Sequence, residues 1–115
     1  NRFLASKLYH LFQEEKPDIV ISTHPFGSQM TSYLKKKNKT KCILASILTD
    51  FAPHDQWLVG NEFIDYFFVA HEEMKYQLID YGIPSFKVFA TGIPVSSRFL
   101  RTYDKHEIFN FFKFF

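Results

Sequence analysis

The stretch Pro17-Asp18-Ile19-Val20-Ile21-Ser22-Thr23-His24-Pro25-Phe26-Gly27 decides the fold class. The residue before a proline is pushed out of the helical region, so Lys16-Pro17 ends the helix that precedes this stretch. Ile19-Val20-Ile21 is a short run of β-branched residues, which is typical of a strand buried on both faces of a parallel sheet. A polar turn at 22–27 follows, and then a second helix. The stretch therefore predicts the strand, turn and helix of an α/β protein.

The same alternation of helix and strand continues on both sides of this stretch. Helical spacing of apolar residues covers 2–15, a helix begins near 72, and a last helix is expected near Asp104. Further apolar runs predict strands at 42–48, 64–70 and 88–90. This order predicts a Rossmann-like α/β domain, a parallel sheet with helices on both faces. Ligands of such sheets bind beyond the carboxyl ends of the strands, here segments 22–27, 49–58, 70–73 and 91–97.

Composition excludes several classes of protein. The 115 residues suit one domain, and 46% hydrophobic with 23% charged residues is the balance of a globular chain. A formal charge of +2 does not predict nucleic-acid binding, and no apolar run approaches the roughly 18 residues of a membrane span. A single cysteine, Cys42, excludes an intrachain disulfide and favours a reducing compartment. The chain opens within a predicted helix without an initiating Met, so we expect a piece of a longer protein.

No cofactor or metal motif is present. Neither G-x-G-x-x-G nor a Walker pattern occurs, and C-x-x-C and H-E-x-x-H are absent as well. The sequence therefore predicts neither a cofactor nor a metal. A zinc site from His24, Asp50, His54 and Asp55 is an alternative that the spacing does not support.

The densest polar cluster, Thr49-Asp50-Phe51-Ala52-Pro53-His54-Asp55-Gln56-Trp57, follows the second predicted strand. Asp50 and His54 suit a general base and its orienting partner, and Trp57 suits stacking on a sugar or covering a lipid headgroup. In the alternative interpretation Asp50 caps a turn, His54 is solvated and Trp57 fills the core. Titratable clusters mark functional sites only statistically, so both interpretations stay open.

His24 follows the first predicted strand, which directs it toward the same cleft as His54. The alternative, a loop histidine bonded to backbone, is favoured by the residues alone. Gly92 and Pro94 lie in the G-I-P-V element after the fourth strand, which is either a simple turn or a hinge to a second domain. The Phe-rich end at 109–115 is too hydrophobic for an exposed tail.

The second helix is expected to turn Met30, Tyr33 and Leu34 inwards and to end among lysines, as a negative helix terminus favours. A solvated helix end is the preferred interpretation of these lysines. Contact with an anionic membrane surface is the alternative, and the two are compatible. The cations are Lys35, Lys36, Lys37, Lys39 and Lys41.

Several segments together resemble one family, the monogalactosyldiacylglycerol synthases and processive diacylglycerol glucosyltransferases. They are the stretch 17–26, the T-D-F-x-x-H-x-x-W element at 49–57, the segment 65–70, and Gly92-Ile93-Pro94-Val95 with Phe99. The resemblance covers about residues 1–108. It implies the amino-terminal half of a GT-B glycosyltransferase, with 1–97 in the acceptor-binding domain and 98–115 starting the connection to the second domain.

The resemblance also implies what the whole enzyme does. A hexose passes from a UDP-sugar to diacylglycerol with inversion and without an essential metal, on the cytoplasmic face of the cell membrane. Asp50 and His54 are then the catalytic candidates, and the interdomain hinge is at Gly92 and Pro94. The substrate-binding candidates are His24, Thr49, Phe51 and Trp57.

Departures from the family keep alternatives open. The family's Gly-rich loop and the residues usually assigned to deprotonating the acceptor have no counterpart here, nor has the donor-binding half. The end FNFFKFF leaves the family pattern, and His71 replaces a small polar residue. The alternatives are a non-catalytic Rossmann-like binding module, or a related GT-B sugar transferase or UDP-sugar epimerase. The choice between glucose and galactose is not encoded in these residues.

Overall fold

The structure is a computed structural model, and it describes residues 2–49 and 55–92. The predicted order of elements is confirmed over these ranges, while the helix expected near Asp104 and the Phe-rich end lie outside them. Short 3₁₀ turns at Asp55–Trp57, Asn61–Phe63 and Ser85–Lys87 occupy the connections. The helices are α1 (Arg2–Glu15), α2 (Pro25–Lys36) and α3 (Glu72–Asp80), and the strands are β1 (Ile19–Ser22), β2 (Ile43–Ile47), β3 (Tyr66–Val69) and β4 (Val88–Ala90).

The strands form one parallel sheet in the order β1-β2-β3-β4. Ile19 pairs with Ile43, Ala45 with Tyr66, and Phe67 with Val88. The predicted parallel α/β architecture is therefore confirmed. Because the carboxyl ends of parallel strands meet at one edge, the segments that follow the four strands share that edge.

One face of the sheet, here called the inner face, packs against the helices. The strands contribute Leu44, Phe67 and Val88 to the buried core on this face, and α3 contributes Met74 and Leu78. The connection between β2 and β3 covers the same face with its own apolar side chains. These side chains are Trp57 and Ile64, both without exposed surface.

The opposite face, the outer sheet face, is apolar and exposed. Ile19, Ile21, Ile43, Tyr66 and Phe89 retain between 40% and 58% of their surface. The Rossmann-like parallel sheet is as predicted, and within residues 2–49 and 55–92 the helices cover the inner face alone. Right-handed connections between parallel strands in consecutive order put every connecting helix on the same face. Helices reach the other face only where the strand order reverses.

The side of α2 that meets the sheet is made of small residues. Ser28, Thr31 and Ser32 are buried there, and the Ser28 hydroxyl shares a 2.6 Å hydrogen bond with the Ser46 hydroxyl of β2. Met30 and Leu34 are buried as predicted. Tyr33 is not, because the stripe of small residues, rather than Tyr33, faces the sheet; its ring is 44% exposed.

Candidate functional site

A cavity of about 280 Å³, here called the strand-end cavity, opens at the carboxyl ends of β1 and β2. Its walls come from the turn after β1, the first turns of α2 and the connection after β2. This is the edge of the sheet where the topology predicts a ligand. The polar and aromatic residues that line it include Thr23, His24, Phe26, Gln29, Thr49 and Gln56.

His24 organises the turn between β1 and α2. The Ser22 hydroxyl donates to the His24 carbonyl at 2.7 Å, and the Phe26 backbone N–H donates to His24 Nδ1 at 3.1 Å. Since Nδ1 accepts a hydrogen bond, the neutral imidazole carries its proton on Nε2. The backbone-bonded interpretation of His24 is therefore confirmed. The imidazole is nevertheless exposed and lines the strand-end cavity, so its Nε2–H remains a donor at that surface.

Two contacts join the segments that follow β1 and β2. Thr49 Oγ1 donates to the Thr23 carbonyl at 3.5 Å. Gln29 Nε2 lies 2.9 Å from both the carbonyl and the side-chain oxygen of Gln56. These contacts hold the two sides of the cavity together. Gln56 belongs to the polar cluster singled out in the sequence, but Gln29 was not predicted, since a glutamine on a helix surface is usually solvated and has no sequence pattern of its own.

Trp57 lies in the hydrophobic core with an exposed fraction of 0%. Although it borders the strand-end cavity, a ring without exposed surface presents no face to a sugar or a headgroup. The stacking role expected from the sequence therefore does not fit this conformation, and Trp57 packs under the cavity as the core alternative states. The connection between β2 and β3 folds back over the sheet and thereby buries the Trp57 ring.

The remaining candidates of the polar cluster, Asp50, Phe51 and His54, lie outside the described residues. The described lining supplies threonine hydroxyls, glutamine amides and the imidazole of His24. This chemistry suits hydrogen bonding to a hydroxylated ligand. Within 2–49 and 55–92 no three His, Cys, Asp or Glu side chains are grouped to hold a metal ion.

Gly92 follows β4 in the left-handed region with φ +80°, as a glycine allows. Its N–H donates to the Val69 carbonyl at 3.2 Å, which ties the end of β4 to β3. Pro94, the other residue of the expected hinge, lies outside the described residues, so the hinge stays a prediction.

Lys35 has a structural role that separates it from the other lysines. Its ammonium pairs with Asp65, and the same carboxylate oxygen accepts the Leu44 N–H at 2.8 Å. Burial raises the pKa of Asp65, but the bonds from Lys35 and Leu44 and the charges of Lys35 and Lys87 outweigh it and lower the pKa overall. With 14% of its side chain exposed, Lys35 is engaged in this pair rather than presented to a membrane.

The other four lysines of the segment are exposed: Lys36, Lys37, Lys39 and Lys41. The Lys37 ammonium lies 5.8 Å from the Tyr33 ring centre, and the Lys39 ammonium lies 5.3 Å from that of Tyr9. These four remain candidates for membrane contact. Across the described ranges, no helix combines the length and the apolar character that crossing a bilayer requires.

Comparison with known proteins agrees with this architecture. The family model described as monogalactosyldiacylglycerol (MGDG) synthase matches residues 1–95. A processive diacylglycerol beta-glucosyltransferase of Bacillus cereus (strain AH187) is 35% identical over 108 residues, which are 94% of this chain and 27% of that protein. Proteins of the same name from Bacillus thuringiensis (strain Al Hakam) and Bacillus anthracis (strain CDC 684 / NRRL 3495) are 37% identical over 97 residues, 84% of this chain and 24% of theirs.

No solved structure matches the chain significantly. The chain spans about a quarter of the length of these relatives. The family model covers most of the chain, including all the described elements. These elements form the parallel α/β sheet described above. The chain therefore belongs to the monogalactosyldiacylglycerol synthase family of glycosyltransferases.

Proposed function

We propose that this chain forms the acceptor-binding part of a glycosyltransferase that moves a hexose from a UDP-sugar to diacylglycerol. The observation that carries the proposal is the strand-end cavity, which lies where open α/β sheets bind ligands and is lined by hydroxyl, amide and imidazole groups. The names of the relatives supply the acceptor, diacylglycerol. The free hydroxyl of that lipid is a donor and acceptor of the kind these side chains recognise.

Each group of candidate residues has a role in this proposal. His24 and Thr49 hydrogen-bond the glycerol end of the acceptor, and Phe51 adds apolar contact. Asp50 and His54 form the acid–base pair beside the reacting hydroxyl. Trp57 supports this site from below, since it is buried. The UDP-sugar binds to a second half, and transfer takes place on the cytoplasmic face of the membrane.

Kinetics and thermal melts of the complete enzyme test these roles. His54→Ala and Asp50→Asn should reduce turnover about 10²–10⁴-fold without lowering the melting temperature, since they remove acid–base partners. Trp57→Ala should do the reverse and cost about 3–5 kcal/mol of stability, because it leaves a cavity in the core. Variants of Asp50 and His54 that melt early yet keep normal turnover per folded molecule would show that both residues are structural.

A further inference from the structure

A second depression, here called the α2 groove, runs along the solvent side of α2 and has a volume of about 440 Å³. Phe26, Met30, Tyr33 and Lys37 follow one another at helical spacing along this side of the helix. Ala5 of α1 closes one wall and Val59 closes the other. A volume of this size lies within the range of small-molecule sites.

Most residues that line the α2 groove are apolar, with Gln29 and Lys37 as the polar members. Phe26, Tyr33 and Val59 are 42%, 44% and 49% exposed, while Ala5 and Met30 are buried. The residues that line it include one cation, Lys37, and no carboxylate. The groove thus offers an apolar channel with a positive charge at one end.

The α2 groove adjoins the strand-end cavity, since Phe26 and Gln29 line both. From Phe26 to Lys37 the helix rises by about 16 Å at 1.5 Å per residue. One end of the channel therefore meets the hydrogen-bonding groups of the strand-end cavity. The other end opens at the exposed lysines of the α2 terminus, the surface that suits an anionic membrane.

We propose that the α2 groove binds a fatty acyl chain of the acceptor lipid. A molecule with a polar glycerol end and a long apolar tail matches a polar cavity that lies beside a largely apolar groove. The lysines at the far end place that opening against anionic headgroups, so that the acyl chain passes between the leaflet and the groove. This inference rests on the proposed function for its choice of lipid, and the following experiment separates the two.

Acyl-chain dependence of transfer tests the proposal in the complete enzyme. Wild type, Tyr33→Gln and Val59→Asp are compared on dioleoylglycerol and on dihexanoylglycerol, with Tyr76→Gln on α3 as a matched exposed tyrosine outside the groove. Each methylene removed from water is worth about a factor of four. The two groove variants should therefore lower kcat/KM for the long acceptor by about tenfold or more and leave the short acceptor within about twofold. Tyr76→Gln should change neither value.

Binding of the fluorescent fatty acid cis-parinaric acid gives a readout that does not depend on transfer. Wild type and Tyr76→Gln should bind it and release it to dioleoylglycerol, and the groove variants should bind it about tenfold more weakly. If wild type binds the acid but transfers no sugar to either lipid, the groove stands and the proposed function fails. If wild type transfers sugar and the groove variants keep its preference for the long acceptor over the short one, the groove proposal fails. A lower melting temperature with equal loss on both acceptors would show that these side chains only support the fold, and would overturn the groove proposal.

Discussion

Gly60, in the connection that follows β2, approaches Ser32 of α2 closely. Gly60 has φ +74°, and a Cβ at this position would lie 2.7 Å from Ser32 Cβ. Ser32 Oγ is buried without a hydrogen-bond partner, the only such side-chain atom found in the described ranges. The close approach of Gly60 to Ser32 is thus kept although the Ser32 hydroxyl is left without a hydrogen bond.

This contact predicts opposite effects for two small substitutions. Gly60→Ala should lower the free energy of unfolding by about 1–2 kcal/mol from the left-handed backbone alone, and by more from the clash. Ser32→Ala should be neutral or stabilising, because it removes an unsatisfied polar atom. Chemical denaturation measures both, with Gly92→Ala as a control that has a similar φ of +80° but open space around its Cβ. Equal losses for the two glycines would contradict the close contact.

Asp65 predicts a pH dependence of stability. Its pKa is lower in the folded chain than its ordinary value near 3.8, so the carboxylate stabilises the fold above that value. The stabilisation is lost as the pH falls through the lower, folded pKa. At pH 7 Asp65→Asn should cost about 1 kcal/mol, a modest figure since 42% of the side chain is exposed and screened by solvent.

Denaturation of wild type and Asp65→Asn between pH 7 and pH 2 checks this prediction. The difference in free energy of unfolding should be constant above about pH 5 and should shrink below it. Asp80→Asn, at the exposed end of α3, serves as control and should stay within about 0.5 kcal/mol of wild type. A difference that grows as the pH falls would contradict the lowered pKa.

At the scale of the element, we expect the lysines at and after the end of α2 to have two different roles. Replacing Lys36, Lys37, Lys39 and Lys41 together by Gln should weaken sedimentation with anionic liposomes, since each lysine near such a surface contributes about 1 kcal/mol. Lys35→Gln should instead lower the melting temperature, because it breaks the pair with Asp65.

Salt and a control variant make the liposome measurement specific. Binding of the wild type should weaken with added salt, as screening requires. Lys75→Gln on α3 should bind like wild type. If neither the fourfold substitution nor added salt weakens binding, the lysines do not contact the membrane, and only the interpretation as a solvated helix end remains.

The helices and strands followed from local patterns that the structure confirms. Ile19-Val20-Ile21 predicted β1, and Met30 and Leu34 predicted buried positions of α2. Tyr33 was expected inside, but a stripe of small residues sets the rotation of α2 against the sheet. Small residues carry no hydrophobic periodicity, so the sequence did not reveal which side of the helix packs.

The location of the candidate site could be predicted from the sequence, but the full set of residues that line it could not. Parallel topology alone directed attention to the ends of β1 and β2, where His24 and Thr49 line a cavity. Trp57 was assigned two alternatives, and only the path of the connection decides that it is buried. Gln29 and Gln56 meet across 27 residues, a contact that depends on tertiary structure. The outer sheet face depends on strand order, which local patterns do not specify.

At the scale of the whole molecule, we expect this domain to work together with a donor-binding half, and two observations are consistent with that expectation. The outer sheet face is apolar, as in a sheet that packs against a further layer. The chain spans about a quarter of its relatives. We expect the chain expressed alone to transfer no sugar, because the proposed site requires a donor-binding half. Incubation with UDP-glucose or UDP-galactose and diacylglycerol should give no glycolipid above a boiled control, and glycolipid formation would contradict this expectation.

The central claim is that the strand-end cavity binds the acceptor, and His24→Asn in the complete enzyme tests it most directly. Asparagine still caps a helix but lacks the Nε2–H of the imidazole, so α2 is preserved while one donor is lost. The KM for diacylglycerol should rise about 2–12-fold, the worth of one hydrogen bond, with the KM for the UDP-sugar and the melting temperature unchanged. Thr91→Val, after β4 and outside the cavity, should change neither KM. A raised KM for the UDP-sugar with an unchanged KM for diacylglycerol would contradict the account.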